Sequence, residues 1–192
     1  PVSKILEDTY HLEGRQVLLF VGRLIDIKNL FFLLDALALV VNRYPKVILL
    51  FVGDGDQRVA LERHAERNGL ADHVIFAGKK QGEDLYACYN VGQIFILPSY
   101  YERFGAVVNE ALLAGCYTLC SVVAGAACLI EPQKNGDLFD PASKTYLAEK
   151  LAQSLKDCEG LKQISLKANK MCYSYDQYIT SFFNQLNSII DK

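Results

Sequence analysis

Short runs of consecutive apolar residues alternate along this chain with longer segments in which apolar residues recur at helical spacing. A short continuous apolar run is typical of a strand buried on both faces, whereas helical spacing is typical of an amphipathic helix. Strands are predicted at 16–21, 46–52, 73–76, 93–97, 117–121 and 137–139, and helices at 30–41, 57–68, 83–89, 105–114, 143–156, 160–172 and 175–190. The alternation predicts an α/β fold, a doubly wound parallel sheet of the Rossmann-like type with extra C-terminal helices.

The length of 192 residues and a hydrophobic share of 51% suffice for one domain with its own core. Residues 1–14 show no periodicity, so we expect a tail or linker there and a domain over 15–192. No apolar run reaches the ~20 residues of a membrane helix, so no transmembrane segment is expected.

Charge and cysteine content narrow the partners and the compartment. The net charge is −2 and the two signs are interspersed, which argues against a nucleic-acid partner. Six cysteines lack C-x-x-C spacing and are expected to be reduced core residues. We therefore expect a cytoplasmic protein, free or peripheral to the inner face of the membrane.

The loop after the first strand carries two cations. Arg23 and Lys28 lie five residues apart, just before the helix for which Asn29 is the predicted N-cap. Such sheets bind ligands beyond the carboxyl ends of their strands, and two cations beside a helix N-terminus suit a phosphate. Taken alone, the loop is equally compatible with two solvated surface charges.

Two further loops follow predicted strands. Gly53-Asp54-Gly55 has two glycines of a dinucleotide-binding fingerprint but Arg58 at the sixth position, so it predicts an ordinary turn or a close backbone approach to a ligand. After the fourth strand, Glu102 lies in a loop and Glu110 on the next helix. Carboxylates can bridge neighbouring sugar hydroxyls, and the helix start can bind an anion. Alternatively, Glu102 complements the helix dipole and Glu110 is a surface residue.

These motifs occur together in a specific order. They are Gly22-Arg23-Leu24 with Lys28, Val52-Gly53-Asp54-Gly55, Val74-Ile75-Phe76-Ala77-Gly78, Leu97-Pro98-Ser99, Glu102-x7-Glu110-Ala111 with Gly115, and Asn135-Gly136. In this order the chain resembles, over residues 15–190, the C-terminal donor-binding domain of GT-B retaining glycosyltransferases of group 1 (family 4). We therefore expect a piece of a longer protein whose N-terminal domain is absent.

The resemblance implies a role for each matching residue. Arg23 and Lys28 would hold the donor diphosphate, Glu102 the transferred sugar, and Glu110 the ribose. The remaining donor-binding candidates are Gly22, Gly53, Gly78, Lys79 and the residues Phe104, Gly105, Ala106 and Val107 at the helix start. Asn29 and Arg103 stand where the family has glycine, and Arg103 adds bulk and charge beside the sugar.

The resemblance also implies a reaction. A sugar would pass, with retention, from a UDP-, GDP- or ADP-sugar to a hydroxyl of a glycan or lipid-linked acceptor, as in polysaccharide biosynthesis, without a cofactor. The only D-x-D stretch is Asp54-Gly55-Asp56, in a predicted turn, so no metal is expected. Arg23, Lys28 and the helix N-terminus would stabilise the leaving diphosphate. Without its N-terminal domain, the chain is expected to bind the donor and turn over little.

Two other functions are compatible with these motifs. One is a non-catalytic nucleotide-sugar-binding module, and the other is a GT-B-type nucleotide-sugar epimerase, which would use added carboxylates and histidines around the sugar as acids and bases. His11, His64 and His73 lie outside the loops that follow strands, which disfavours the epimerase. The apolar stripe of the 175–190 helix would pack on the core, dock on the absent domain or support self-association.

Overall fold

One parallel sheet organises the structure, a computed structural model that describes residues 2–169. Within that range the six strands are β1 (Gln16–Val21), β2 (Val47–Val52), β3 (Val74–Gly78), β4 (Ile94–Leu97), β5 (Tyr117–Ser121) and β6 (Gly136–Phe139). Their order is β3-β2-β1-β4-β5-β6, with every neighbouring pair parallel. The prediction of a Rossmann-like α/β sheet is confirmed, and each predicted strand is present.

Helices cover both faces of this sheet. They are α1 (Val2–Thr9), α2 (Leu30–Ala38), α3 (Arg58–Arg67), α4 (Gly82–Val91), α5 (Ala106–Leu113), α6 (Lys144–Leu155) and α7 (Cys158–Asn169). The predicted helix over 175–190, with its apolar stripe, lies outside the described residues. No helix within 2–169 is long and apolar enough to cross a bilayer.

Two apolar cores lie on opposite faces of the sheet, as alternation along each strand requires. In β1, Leu18 and Phe20 join the core formed with α2, α3 and α6. Leu19 and Val21 join the core formed with α1, α4 and α5. Strands buried on both faces explain why their sequences are continuously apolar.

The expectation of a tail over residues 1–14 is wrong. Val2–Thr9 forms a helix that packs against α4, and both Leu6 and Leu12 are buried in the second core. A single helix of eight residues offers few repeats for a periodicity to register. The segment is an integral part of the described domain.

The chain path sets the position of a ligand crevice. From β1 the chain adds β2 and β3 on one side and then returns to place β4 on the other side of β1. In such sheets the crevice opens beyond the carboxyl ends of the two strands where the order reverses. The loops that follow β1 and β4 therefore flank it, and these carry Arg23, Lys28 and Glu102.

Candidate functional site

An ion pair joins the two loops at the reversal of strand order. The Lys28 ammonium donates to the Glu102 carboxylate across 74 residues of sequence. The two side chains are only 13% and 17% exposed. Two residues that sequence reasoning assigned to adjacent parts of one ligand, the diphosphate and the sugar, thus lie in direct contact.

The loop after β1 is shaped by a short turn. Asp26–Lys28 forms one 3-10 turn that ends at Asn29, which adopts the left-handed conformation with φ of 56°. The Asn29 amide donates to the Pro141 carbonyl at 3.2 Å and does not cap α2. Asn29 thus occupies the predicted N-cap position of α2, but its side chain makes no capping hydrogen bond to the helix. Asparagine tolerates this conformation better than most non-glycine residues, which accounts for its place at a glycine position.

Glu102 is fixed through its backbone as well as its side chain. Its carbonyl accepts from Gly125 N at 2.9 Å, and it forms a parallel bridge with Ala124 in the loop after β5. One carboxylate oxygen, Oε1, accepts from Phe104 N at 3.4 Å. Glu102 is therefore held between the loops that follow β1 and β5.

The start of α5 offers amides to the same region. Gly105 precedes the helix with φ of 85°, and no side chain within 2–169 caps it. The first amides of any helix lack intrahelical acceptors, so those of Ala106 and Val107 are available to a ligand. Phe104, 69% exposed, stands at the rim.

Glu110 lies one helical turn further along α5 and is half-buried. The hydroxyl of Tyr89 on α4 donates to Glu110 Oε2 at 2.6 Å. Burial, reinforced by the Glu110 carboxylate, raises the pKa of Tyr89, so its hydroxyl remains protonated. Sequence reasoning missed Tyr89, because a tyrosine at an apolar helix position reads as core.

A second tyrosine missed from the sequence ties the loops together. The Tyr100 hydroxyl donates to the Asp26 carboxylate, and Tyr100 N donates to the Ile27 carbonyl at 3.2 Å. The Gln57 amide donates to the other Asp26 oxygen at 3.4 Å. The loops after β1, β2 and β4 are thereby cross-linked around the crevice.

Gly53, which follows β2, contacts both Gly22, which follows β1, and Gly78, which ends β3. A Cβ at Gly53 would lie 1.9 Å from the Gly22 carbonyl oxygen, and Gly53 N donates to the Gly78 carbonyl at 2.9 Å. The sequence left two explanations for the glycines of the Gly53-Asp54-Gly55 loop, an ordinary turn or a close approach to a ligand. In the structure, Gly53 is already required by its contacts with other loops of the chain. Close backbone packing requires glycine here whether or not a ligand is bound.

Two predicted cations project into solvent. Arg23 and Lys79 are exposed, and neither forms an ion pair within the described part of the chain. Arg103, also exposed, donates from Nε to the Tyr101 hydroxyl at 2.8 Å. Arg23 is thus at the correct loop but, unlike Lys28, is not held in place.

The three histidines lie outside the loops that carry Lys28 and Glu102. His64 Nε2 contacts Asp35 Oδ1 at 2.7 Å, and His73 Nδ1 contacts the Val47 carbonyl at 2.9 Å at the start of β2. His11 lies in the turn after α1. Over residues 2–169, no group of three or more His, Cys, Asp or Glu side chains is placed to hold a metal ion.

The five cysteines within 2–169 are free thiols. Burial raises the pKa of Cys116 and of Cys120 to about 12, and that of Cys88 to about 11. Cys128 differs, since it is exposed in the 3-10 turn Gly125–Leu129. The four buried thiols are core side chains, as their apolar context predicts.

Comparison with known proteins connects this site to a family. Residues 3–171 match the model of glycosyl transferases group 1. An uncharacterized glycosyltransferase of Methanocaldococcus jannaschii is 30% identical over 161 residues, 84% of this chain and 41% of that protein. The alpha-D-kanosaminyltransferase of Streptomyces kanamyceticus is 29% identical over 154 residues, 80% of this chain and 40% of that protein.

A solved structure extends the likeness to the fold. Anabaena HepE, crystallised with UDP and glucose, superposes with a TM-score of 0.82 at 26% identity, over 97% of this chain and 52% of that one. The chain spans less than half the length of the curated relatives that it matches. Its sheet is the Rossmann-like sheet of the GT-B glycosyltransferases, and the chain belongs to the group 1 glycosyltransferase family.

Proposed function

We propose that this chain is the donor-binding domain of a retaining glycosyltransferase and binds a nucleotide-diphosphate sugar beyond β1 and β4. The observation that carries the proposal is the contact between Lys28 and Glu102 at the reversal of strand order. It supports the proposal because a lysine suited to a diphosphate and a glutamate suited to a sugar lie side by side. The likeness to a protein crystallised with UDP and glucose supports the ligand class.

The proposed donor pose follows from the site geometry. In this pose the diphosphate lies between Lys28, Arg23 and the amides of Ala106 and Val107, where two cations adjoin the α5 N-terminus. The sugar lies against Glu102. The ribose reaches Glu110, one turn along α5.

The proposed transfer places charge where the site can stabilise it. The anomeric C–O bond breaks and its electron pair goes to the diphosphate oxygen. The acceptor hydroxyl oxygen bonds to the anomeric carbon on the same face, and its proton passes to the departing diphosphate. Arg23, Lys28 and the α5 amides stabilise the developing negative charge, and no metal is assigned a step. Glu102 orients the sugar and stabilises positive character near the anomeric carbon.

The N-terminal domain of the longer protein would supply the acceptor site. We expect the 192-residue chain alone to bind the donor and to transfer little or no sugar. Product analysis of the longer protein with donor, with and without acceptor, distinguishes a transferase from a binding module and from an epimerase. Free epimerised donor without acceptor would reject the transferase.

Calorimetry with UDP, GDP, ADP and their sugars tests the site directly. At least one nucleotide should bind the wild-type chain, and Lys28→Ala and Arg23→Ala should each weaken it about tenfold, the expected loss of a charge-assisted contact. Lys46→Ala is the matched control, because Lys46 is exposed at the amino end of β2, away from the crevice. Unchanged affinity in both site variants would reject the assignment.

A further inference from the structure

The carboxylate of Glu110 accepts a hydrogen bond from a buried side chain, that of Tyr89. Tyr89 is 1% exposed, and its hydroxyl lies 2.6 Å from Glu110 Oε2. A bond from a hydroxyl to an ionised carboxylate is short and about twice as strong as a neutral one. Among the described residues, Tyr89 takes one lone pair of Oε2, which leaves Oε1 and a second lone pair of Oε2 to accept from a ligand.

Tyr89 itself is held on several sides. Its ring packs against Phe95 with centroids 6.2 Å apart, and its carbonyl accepts from Cys116 Sγ at 3.3 Å. Just beyond it, the Lys162 ammonium donates to the Gly92 carbonyl at 2.7 Å and to that of Asn90, which anchors the end of α4. A hydroxyl so fixed can set the orientation of its acceptor.

From this geometry we infer that Tyr89 is a positioning residue, which orients the Glu110 carboxylate to accept from the ribose hydroxyls of the donor nucleotide. The inference rests on the proposed function. A carboxylate that is oriented before the ligand arrives spares the complex the entropy of ordering it. The consequence is selectivity: the site prefers a ribonucleotide over one whose ribose hydroxyls are missing, and Tyr89 carries part of that preference.

The test compares UDP, GDP and ADP with their 2′,3′-dideoxy counterparts by calorimetry. For the nucleotide that binds best, the wild-type chain should prefer the ribose form by about tenfold or more. Tyr89→Phe removes only the hydroxyl, and it should lower this preference about threefold or more while changing dideoxy binding less than twofold.

Tyr117→Phe is the matched control. The Tyr117 hydroxyl also donates to a carboxylate, that of Asp137 at 3.0 Å, and Tyr117 is 2% exposed. Tyr117, however, is the first residue of β5, whereas the crevice is expected beyond the carboxyl ends of the strands. If the Tyr89 bond were only structural, both variants would lower thermal stability and both would keep the ribose preference.

Each outcome is decisive. A wild-type chain that binds none of the nucleotides refutes the proposed function, and this inference with it. Ribose preference kept in Tyr89→Phe overturns the inference alone. Should Tyr89→Phe fail to fold, Glu110→Asp replaces it, because a side chain shorter by one methylene withdraws the carboxylate from the Tyr89 hydroxyl, now at 2.6 Å. Full ribose preference in Glu110→Asp would likewise overturn the inference.

Discussion

Breaking the Lys28–Glu102 pair provides the most quantitative test of the site geometry. Lys28→Met keeps much of the side-chain length but removes the ammonium. Among the described residues, the Glu102 carboxylate is then left with one long hydrogen bond, from Phe104 N at 3.4 Å. Glu102→Gln keeps an oxygen that can still accept from Lys28. The first substitution should therefore destabilise the fold more than the second, although each removes one charge.

The magnitude follows from burial. Removing one partner of a fully buried ion pair costs ~3–5 kcal/mol, whereas an exposed pair is worth ~0–1 kcal/mol. Side chains 13% and 17% exposed lie towards the buried end. We therefore expect Lys28→Met to lower the free energy of unfolding by about 2–3 kcal/mol, which corresponds to a melting temperature lower by about 5–10 °C.

A double-mutant cycle measures the interaction directly. The free energy of unfolding is obtained by thermal and urea unfolding for the wild type, for Lys28→Met, for Glu102→Gln and for the variant that carries both substitutions. The double variant lacks both charges and strands neither, so its loss should fall short of the sum of the single losses by at least about 1 kcal/mol. Losses that add to within about 0.5 kcal/mol would show that the two groups do not interact, and the account of the Lys28–Glu102 ion pair would be wrong.

Three further predictions concern the backbone, the thiols and alkaline pH. Gly53→Ala should lower the free energy of unfolding by about 3 kcal/mol or more, because its Cβ would lie 1.9 Å from the Gly22 carbonyl oxygen. Gly69→Ala has no atom within 4 Å of its Cβ and should cost only about 1–2 kcal/mol, for its left-handed backbone. Equal losses of the two variants in chemical unfolding would contradict this prediction. Among Cys88, Cys116, Cys120, Cys128 and Cys158, a thiol reagent at pH 8 should label Cys128 first by peptide mass analysis, and prior labelling of Cys116 would refute the buried assignment. Because folding raises the pKa of Cys116 and Cys120 from 9.0 to about 12, the stability they contribute is fully present below pH 9.0 and is lost as pH rises towards 12. Urea unfolding at pH 8, 10 and 11 should show that decline, and a Cys116→Ala/Cys120→Ala variant should show a shallower one, whereas identical slopes would contradict the linkage.

The sheet could be predicted from sequence because burial on both faces leaves a local record. Continuous apolar runs such as the one over 47–52 specify a strand without reference to any other part of the chain. The general rule on strand-order reversal then placed the loops of Lys28 and Glu102 together, and their ion pair agrees with that placement.

What sequence could not provide depends on distant contacts. The carboxylate partner of the Tyr89 hydroxyl lies 21 residues away on another helix, and the local pattern around Tyr89 only indicates core. The acceptor of the Asn29 amide is likewise distant in sequence, because Pro141 follows β6. Leu6 in α1 and Leu12 just after it are buried in the second core, and α1 packs against α4, a contact that the local sequence pattern does not specify.

The central claim is that the crevice beyond β1 and β4 holds a nucleotide-diphosphate sugar. A crystal structure of the chain with the tightest-binding of UDP, GDP and ADP tests it most directly. We predict the diphosphate within hydrogen-bond distance of Lys28 Nζ and the amides of Ala106 and Val107, with the ribose on Glu110. A nucleotide bound at another edge of the sheet, or one in the crevice whose diphosphate contacts neither Lys28 nor the start of α5, would contradict it.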